Sequence, residues 1–147
     1  MAGKPAGAGR WYGSREWSFT PTLQRVEGWP LGECVRASYA TIFDKNIDDI
    51  PRFDPGYLNG RDQRTAERNW LATMGYELEE ITTSADDQLP QEVLDSVPPC
   101  LHLISGRSPR GFGHRCVGWR GQVVHDPHPS RAGLVTVYSI GLLVPLS

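Results

Sequence analysis

The sequence predicts one α+β domain in which helices come first and an antiparallel sheet follows. Before residue 99 the apolar residues mostly recur at helical spacing, and after it they form short runs separated by Gly and Pro, which is typical of strands. The 16 Gly and 12 Pro indicate many loops and argue against a helical bundle. A chain of 147 residues can build one such core but not two independent ones.

Two helices are expected in the first half of the chain. The first begins at about Cys34 and ends at Phe43, and the second covers 62–74 and is stopped by Gly75. The buried stripe of the first helix is expected to contain Val35, Tyr39, Ile42 and Phe43. The apolar face of the second is expected to contain Ala66, Trp70 and Met74. Its exposed face is expected to carry the charged residues Arg61, Asp62, Arg64, Glu67 and Arg68.

The sheet is expected to be built mainly from the second half of the chain. The predicted strands are at 76–81, 101–104, 114–119, 122–125 and 134–140. A short helix at 90–96 begins with a proline, and a Gly/Arg/Pro loop covers 106–113. A tight turn at Arg120-Gly121 is predicted to join the third and fourth strands into a hairpin.

Composition limits the possible function classes. Residues 1–12 are expected to be a flexible lead-in to a single domain at 13–147, because the first ten are mostly Gly and Ala. They also lack the apolar core of a secretory signal. Three cysteines are an odd and sparse set, which predicts free thiols in a reducing compartment and hence the cytoplasm. A net charge of −2 argues against a nucleic-acid module, and no apolar stretch approaches a membrane span.

Cys34 is the first candidate catalytic residue because it stands at the expected start of a helix. The free N–H groups and the dipole at a helix start stabilise a thiolate and lower the pKa of a thiol. A nucleophilic cysteine also needs a base nearby. The alternative interpretation of the same position is a buried cysteine with a packing role only.

His114 and Asp126 are the candidates for the base and for the group that orients it. His114 opens a strand after glycines that leave room for a substrate, and Asp126 ends the returning strand of the predicted hairpin. Pairing of the two strands would bring the carboxylate near the imidazole, where it holds the correct tautomer. The alternatives are a surface histidine at a strand end and an Asp-Pro turn.

Several segments around these positions carry a resemblance to a known family. They are GECVRASYA at 32–40, DDIPRF at 48–53, SGRSPRG at 105–111, Gly113-His114 and VHDPHP at 124–129. They resemble the papain-like cysteine peptidases, particularly the small C39-like branch, whose catalytic residues also follow the order Cys, His, Asp along the chain. The resemblance covers about residues 24–138 and extends to a group of small phage and bacterial members.

The resemblance implies a papain-like (C39-like) fold, with a catalytic cysteine at a helix start packed on a C-terminal antiparallel sheet. It implies thiol-mediated cleavage of a peptide or isopeptide bond by Cys34, His114 and Asp126, without a cofactor or a metal. The substrate would be a peptide or a flexible protein tail, and the location the host cytoplasm if a phage encodes the chain. Hydrolysis and acyl transfer use the same residues, so both stay open, as does the oligomeric state.

The oxyanion hole is expected to use the backbone N–H of Cys34 and one side-chain donor. The family usually has a glutamine several residues before the cysteine, whereas here the nearest is Gln24, ten residues before it. Gln24 reaches the site only if the segment Gly28-Trp29-Pro30 loops out. The candidate substrate-binding residues are Trp29, Gly113 and Arg110.

Three other interpretations remain open. A zinc-stabilised binding domain would use Cys100, His102, His114 and Cys116, since each pair lies on one face of a strand. A catalytically silent papain-like domain would only bind peptides. The arginines near the site are expected to form a solvated rim, and alternatively would bind an acidic substrate. These are Arg107, Arg110, Arg115, Arg120 and Arg131.

Overall fold

A computed structural model describes residues 21–28, 31–84 and 87–146. Its helices are α1 (Cys34–Phe43), α2 (Pro55–Leu58), α3 (Gln63–Thr73) and α4 (Gln91–Asp95), and a short 3-10 helix lies at Ile47–Asp49. Its strands are β1 (Tyr76–Thr82), β2 (Leu101–Arg107), β3 (Gly113–Trp119), β4 (Gln122–His125) and β5 (Thr136–Pro145). The predicted α+β class is confirmed. Within the described part of the chain, no helix has both the length and the apolar character that crossing a membrane requires.

The five strands form one sheet in the order β1-β5-β2-β3-β4, and every neighbouring pair is antiparallel. β1, which follows α3 directly, pairs with the last strand of the chain. β3 and β4 form the predicted hairpin, in which Trp119 pairs with Gln122. The register of this hairpin shifts between Val117 and Gly118. This bulge lies between the tight turn and the end of β3 that carries His114.

Apolar residues cover both faces of the sheet, because successive side chains of a strand point to opposite sides. Leu103 and Val117 pack in one cluster with α1 and α3, whereas Ile104 and Cys116 pack in a second cluster with α4. The predicted stripe of α1 is confirmed, since Tyr39, Ile42 and Phe43 are buried and Val35 packs against them. The sheet therefore holds α1 rigidly against β2 and β3.

Two strands extend at least three residues beyond the ends that the sequence predicts. β2 continues through Ser105 and Gly106 to Arg107, where the sequence predicts a loop, and β5 extends to Pro145 instead of ending at 140. Gly106 continues the strand because it permits a close approach: a Cβ there would lie 1.7 Å from the carbonyl oxygen of Thr136 on β5. The glycine marks close backbone contact and not a chain break.

Two charged residues that the sequence predicts to be exposed are buried. Glu67, expected on the outer face of α3, has a buried carboxylate that pairs with the guanidinium of Arg115 and accepts hydrogen bonds from Tyr39 and Gln63. Arg115, expected in the solvated rim, has a side chain that is only 15% exposed. Glu67 lies one helical turn before the buried Leu71, so it shares the inner face of α3, where a charge requires a partner.

Candidate active site

Cys34 is the first residue of α1 and is partly exposed. The preceding residue, Glu33, does not cap the helix with its side chain, because its carboxylate binds the guanidinium groups of Arg25 and Arg36. The hydroxyl of Ser38 lies 2.7 Å from the carbonyl oxygen of Cys34 and 3.4 Å from that of Arg115 on β3. The first turn of α1, whose backbone N–H groups have no partner within the helix, is thereby attached to the strand that carries His114.

His114 and Asp126 form a buried hydrogen-bonded pair, with Nε2 of His114 2.6 Å from Oδ1 of Asp126. Asp126 also accepts hydrogen bonds from the backbone N–H groups of His128 and Gly133, each at 2.8 Å. These backbone donors fix the carboxylate against the imidazole. Because Nε2 is bound to the carboxylate, Nδ1 is the ring nitrogen left to exchange a proton with another group.

The pKa values of Cys34 and His114 are coupled, and each group shifts that of the other. Burial raises the pKa of Cys34, but the hydrogen bond and charge of His114, together with Arg115, lower that pKa below its ordinary value overall. Burial lowers the pKa of His114, yet hydrogen bonds with Asp126, Cys116 and Cys34 raise it to about 11. Both directions favour a thiolate and an imidazolium at neutral pH.

The Asp126 carboxyl remains ionised in this arrangement. Burial raises its pKa, but the hydrogen bonds from His114 and from the backbone of His128 and Gly133 lower that pKa to about 2. The site therefore holds a carboxylate behind the imidazole across the physiological pH range. Such a carboxylate stabilises the imidazolium and fixes its orientation.

Gln24 lies beside the peptide that precedes Cys34, although the two residues are ten positions apart. The carbonyl oxygen of Val26 accepts hydrogen bonds from Nε2 of Gln24 at 2.8 Å and from the backbone N–H of Glu33 at 3.0 Å. A second backbone bond, from Gly32 to Gly28, closes the same loop. The loop takes up the extra spacing and brings the amide of Gln24 to the start of α1.

The side chain of Gln24 is buried and incompletely bonded. Its Oε1 has no hydrogen-bond partner among the described residues. An amide nitrogen carries two donors, and the contact with Val26 uses one of them. The hydrogen bonds among the described residues leave the second N–H of this amide unused.

Two of the three predicted substrate-binding residues lie in the described part of the chain. Trp29 lies outside the described residues. Gly113 is the exposed first residue of β3, directly before His114, and a Cβ there would lie 2.9 Å from the hydroxyl of Tyr138. Arg110 is exposed on the preceding loop, with Nη1 3.2 Å from Oγ of Ser130. Gly113 therefore adjoins the histidine in the strand, and Arg110 is exposed on the loop before it.

The four residues of the zinc interpretation do not come together. Both ring nitrogens of the buried His102 are engaged, since Nε2 accepts from the backbone of Gly121 at 3.1 Å and Nδ1 lies 2.9 Å from the carbonyl oxygen of Leu103. Cys100 is buried, which raises the pKa of its thiol to about 12. Among the described residues, the group with metal-ligand spacing is His114, Cys116 and Asp126. Half of the predicted ligand set is thus elsewhere in the core.

Sequence reasoning missed Glu33, which organises the loop before Cys34. Its carboxylate accepts from the backbone N–H groups of Arg25 and Val26 and from the side chains of Arg25 and Arg36. Burial raises the pKa of Glu33, but the hydrogen bonds lower it to about 2. An acidic residue before a helix is usually interpreted as a helix cap. Glu33 pairs with Arg25 instead, because the loop between Val26 and Glu33 closes and brings the two side chains together.

Two cavities in the described part of the molecule lie away from this site. One, of about 230 Å³, is lined by the paired charges of Glu67, Glu80 and Arg115 beside α3. The other, of about 420 Å³, is lined by Thr22 and by the chain that follows α1. Neither of these two cavities is lined by Cys34, His114 or Asp126.

Comparison with known proteins identifies no relative of this chain. No family model matches the chain, and no curated protein or solved structure matches it either.

Proposed function

We propose that the chain is a cysteine peptidase or amidase of the papain-like, C39-like type. In this proposal Cys34 is the nucleophile, His114 the proton carrier and Asp126 the orienting carboxylate. The observation that carries the proposal is the buried His114–Asp126 pair at 2.6 Å, next to a partly exposed helix-start thiol whose pKa is lowered. Each group alone has a structural explanation, but the three together are the arrangement of an activated nucleophile.

In the acylation step the thiolate of Cys34 attacks the carbonyl carbon of the scissile amide. The new C–S bond forms and the carbonyl oxygen becomes an oxyanion. The C–N bond then breaks as the carbonyl re-forms, and the imidazolium of His114 gives its proton to the leaving amine. Asp126, held by its two backbone donors, keeps the imidazole oriented throughout. The product of this step is a thioester on Cys34 with a neutral imidazole beside it.

In the second step a water molecule attacks the thioester, and His114 takes the proton from that water. The C–S bond breaks, and the thiolate–imidazolium pair is restored. An amine in place of water would give acyl transfer through the same residues. The difference depends on the acceptor and not on Cys34, His114 or Asp126.

The oxyanion that forms during both steps requires donors near the sulfur. We assign this role to the backbone N–H of Cys34 and to the free amide N–H of Gln24. The closed loop between Val26 and Glu33 supports this assignment, because it brings the Gln24 amide beside the peptide before Cys34. Such donors act in the transition state, so their loss lowers turnover more than substrate binding.

The substrate class that fits this site is an extended peptide or a flexible protein tail. Exposed apolar side chains stand close in sequence to two of the proposed catalytic residues, with Phe112 two residues before His114 and Leu31 three residues before Cys34. An extended apolar segment of a substrate would cover such side chains.

Alkylation of each cysteine, followed by mass spectrometry from about pH 5 to 9, tests the activated nucleophile. We expect Cys34 to react with iodoacetamide well below the ordinary thiol pKa of about 8.5, while buried Cys100 stays unreactive as the internal control. His114→Ala should slow Cys34 in a protein that unfolds normally. An inert Cys34 would remove the peptidase proposal and leave a peptide-binding domain.

Turnover is tested separately with a library of fluorogenic and unlabelled peptides. Hydroxylamine is added as a competing acceptor, because it converts a thioester into a hydroxamate. Cleavage that depends on Cys34, with hydroxamate formed in place of acid, would support a thioester intermediate. Cleavage that persists in Cys34→Ala would assign the reaction to another group.

A further inference from the structure

Cys116 contacts the candidate base but has no part in the proposed reaction. It lies two residues after His114 on the same face of β3 and is fully buried. Its sulfur lies within 4.8 Å of a ring nitrogen of His114. Cys116 packs in the cluster against α4, and its sulfur is at the same time close enough to the histidine and to Asp126 to act as a ligand.

We propose that His114, Cys116 and Asp126 form a binding site for a borderline-soft divalent cation such as Zn²⁺. One ring nitrogen, the Cys116 sulfur and one carboxylate oxygen all lie within 4.8 Å of one another. Imidazole nitrogen, thiolate sulfur and carboxylate oxygen are the three kinds of ligand that zinc takes in proteins. The site differs from the set predicted from the sequence, because Cys100 and His102 take no part in it.

The cluster needs only small movements to hold the ion. Two ligand atoms on one tetrahedral zinc lie roughly 3.3 to 3.8 Å apart, given Zn–N and Zn–O bonds near 2.0 Å and Zn–S near 2.3 Å. The His114–Asp126 contact of 2.6 Å must open, and the longest separation of at most 4.8 Å must close, by about an ångström each. The backbone donors of His128 and Gly133 hold the carboxylate in place as outer partners.

Three protein ligands leave the fourth zinc position open, as in catalytic-type zinc sites. Cys34 is a partly exposed residue whose pKa is coupled to that of His114, and we expect the cation to enter from its side. Binding displaces to solvent the thiol proton of Cys116 and the proton shared by His114 and Asp126. An ion bound to His114 prevents the imidazole from accepting and donating the proton of the proposed reaction. The cation would therefore switch off the peptidase reversibly, and this consequence alone rests on the proposed function.

The test is metal binding without substrate, measured with Zn²⁺ in competition with a chromophoric chelator and with Co²⁺ by its thiolate charge-transfer absorption. We expect wild type and Cys100→Ala to bind one ion per chain and to show that absorption. Cys116→Ala should bind at least about tenfold more weakly and lose the absorption. Cys116→Ser, which better fills the buried space, serves as the second variant if the alanine form unfolds.

Cys34→Ala keeps this test independent of catalysis. It cannot turn over by the proposed mechanism, yet it should bind Zn²⁺ as wild type does, with the Co²⁺–thiolate band retained. Equal binding by wild type and both Cys116 variants, or loss of binding in Cys34→Ala alone, would overturn the ligand set. If the metal binds as expected but no form cleaves peptides, the metal site stands and the peptidase proposal fails.

Discussion

Nε2 of His114 lies 2.6 Å from Oδ1 of Asp126, at the open end of the β3–β4 hairpin. The tight turn is at the other end, where Trp119 pairs with Gln122. Val117 pairs with His125 after the bulge, so the chain leaves the sheet at Asp126 on a path that passes the imidazole. The hairpin therefore brings the chain at Asp126 towards His114, and the backbone N–H groups of His128 and Gly133 fix the carboxylate there.

Replacing Asp126 with Asn tests the role of the carboxylate. Asn cannot stabilise an imidazolium by charge, so the pKa of His114 should fall and that of Cys34 should rise. We expect turnover to drop by up to about 10⁴, the loss found when the carboxylate of a Ser-His-Asp triad is amidated. The rise of Cys34 alkylation with pH should also move to higher pH.

Thermal unfolding is the control for this variant, because Asp126 also accepts the N–H groups of His128 and Gly133. Unchanged pH dependence of Cys34 alkylation in a folded Asp126→Asn protein would contradict the proposed coupling. A parallel loss of folding would require the comparison to be made at lower temperature.

Cys34→Ala should abolish turnover and leave the free energy of unfolding nearly unchanged, because the thiol is partly exposed and contributes little packing. The matched control is Cys100→Ala, which removes a buried sulfur from the core. That variant should lose about 1 kcal/mol of stability and keep its activity. Peptide cleavage and urea unfolding measure the two effects, and activity lost equally in both folded proteins would argue against Cys34 as the nucleophile.

Gln24→Ala should lower kcat by about 10² to 10³ with little change in KM, because an oxyanion donor acts mainly in the transition state. Gln24→Glu keeps the size of the side chain but replaces the donor with an acceptor, so it should be at least as impaired. Steady-state kinetics on one peptide measures both. Full activity in a folded Gln24→Glu protein would remove Gln24 from the oxyanion hole.

Stability should fall as the pH decreases from about 6.5 towards 4, and His102 is the main reason. Burial lowers the pKa of His102 to about 4, and the hydrogen bond with Leu103 only partly opposes this. The unfolded chain therefore binds a proton that the folded chain does not, and stability decreases by up to about 1.4 kcal/mol per pH unit in this window.

His102→Gln should remove most of that slope, and urea unfolding between about pH 7 and 4 measures it. The variant will be less stable at neutral pH, because His102 fills the space left by Gly118, where a Cβ would lie 2.3 Å from the ring. Asp126 and Glu33, whose pKa values are about 2, lose their contribution only as the pH falls from about 4.5 towards 2. An unchanged slope above pH 4.5 in the variant would assign the effect to another group.

Local patterns in the sequence were sufficient to predict the elements that carry Cys34, His114 and Asp126. Helical spacing places Cys34 at the start of α1, and the Arg120-Gly121 turn predicts the hairpin that carries His114 and Asp126. What local patterns could not predict are contacts between distant segments. The Val26–Glu33 closure and the pairing of β1 with β5 depend on the completed fold, and short-range periodicity contains no information about either.

The buried Glu67–Arg115 pair is the long-range contact with the largest expected effect on stability. Glu67→Gln preserves shape and some hydrogen bonding to Tyr39 and Gln63, but it leaves the charge of Arg115 buried without its partner. Removing one partner of a buried pair costs about 3 to 5 kcal/mol. We expect a loss of that size in urea unfolding, together with slower Cys34 alkylation, because Arg115 adjoins His114 and supports the start of α1 through Ser38.

The matched control is Glu80→Gln, which removes the partner of Arg64 and Arg68 in a cluster whose arginines are exposed. Ion pairs of this kind contribute about 0 to 1 kcal/mol, so this variant should unfold almost as wild type does. Equal, small losses for both variants would show that solvent reaches Arg115 and compensates its charge. A large loss for Glu67→Gln alone would establish that the same buried charge pair joins α3 to the strand of the candidate histidine.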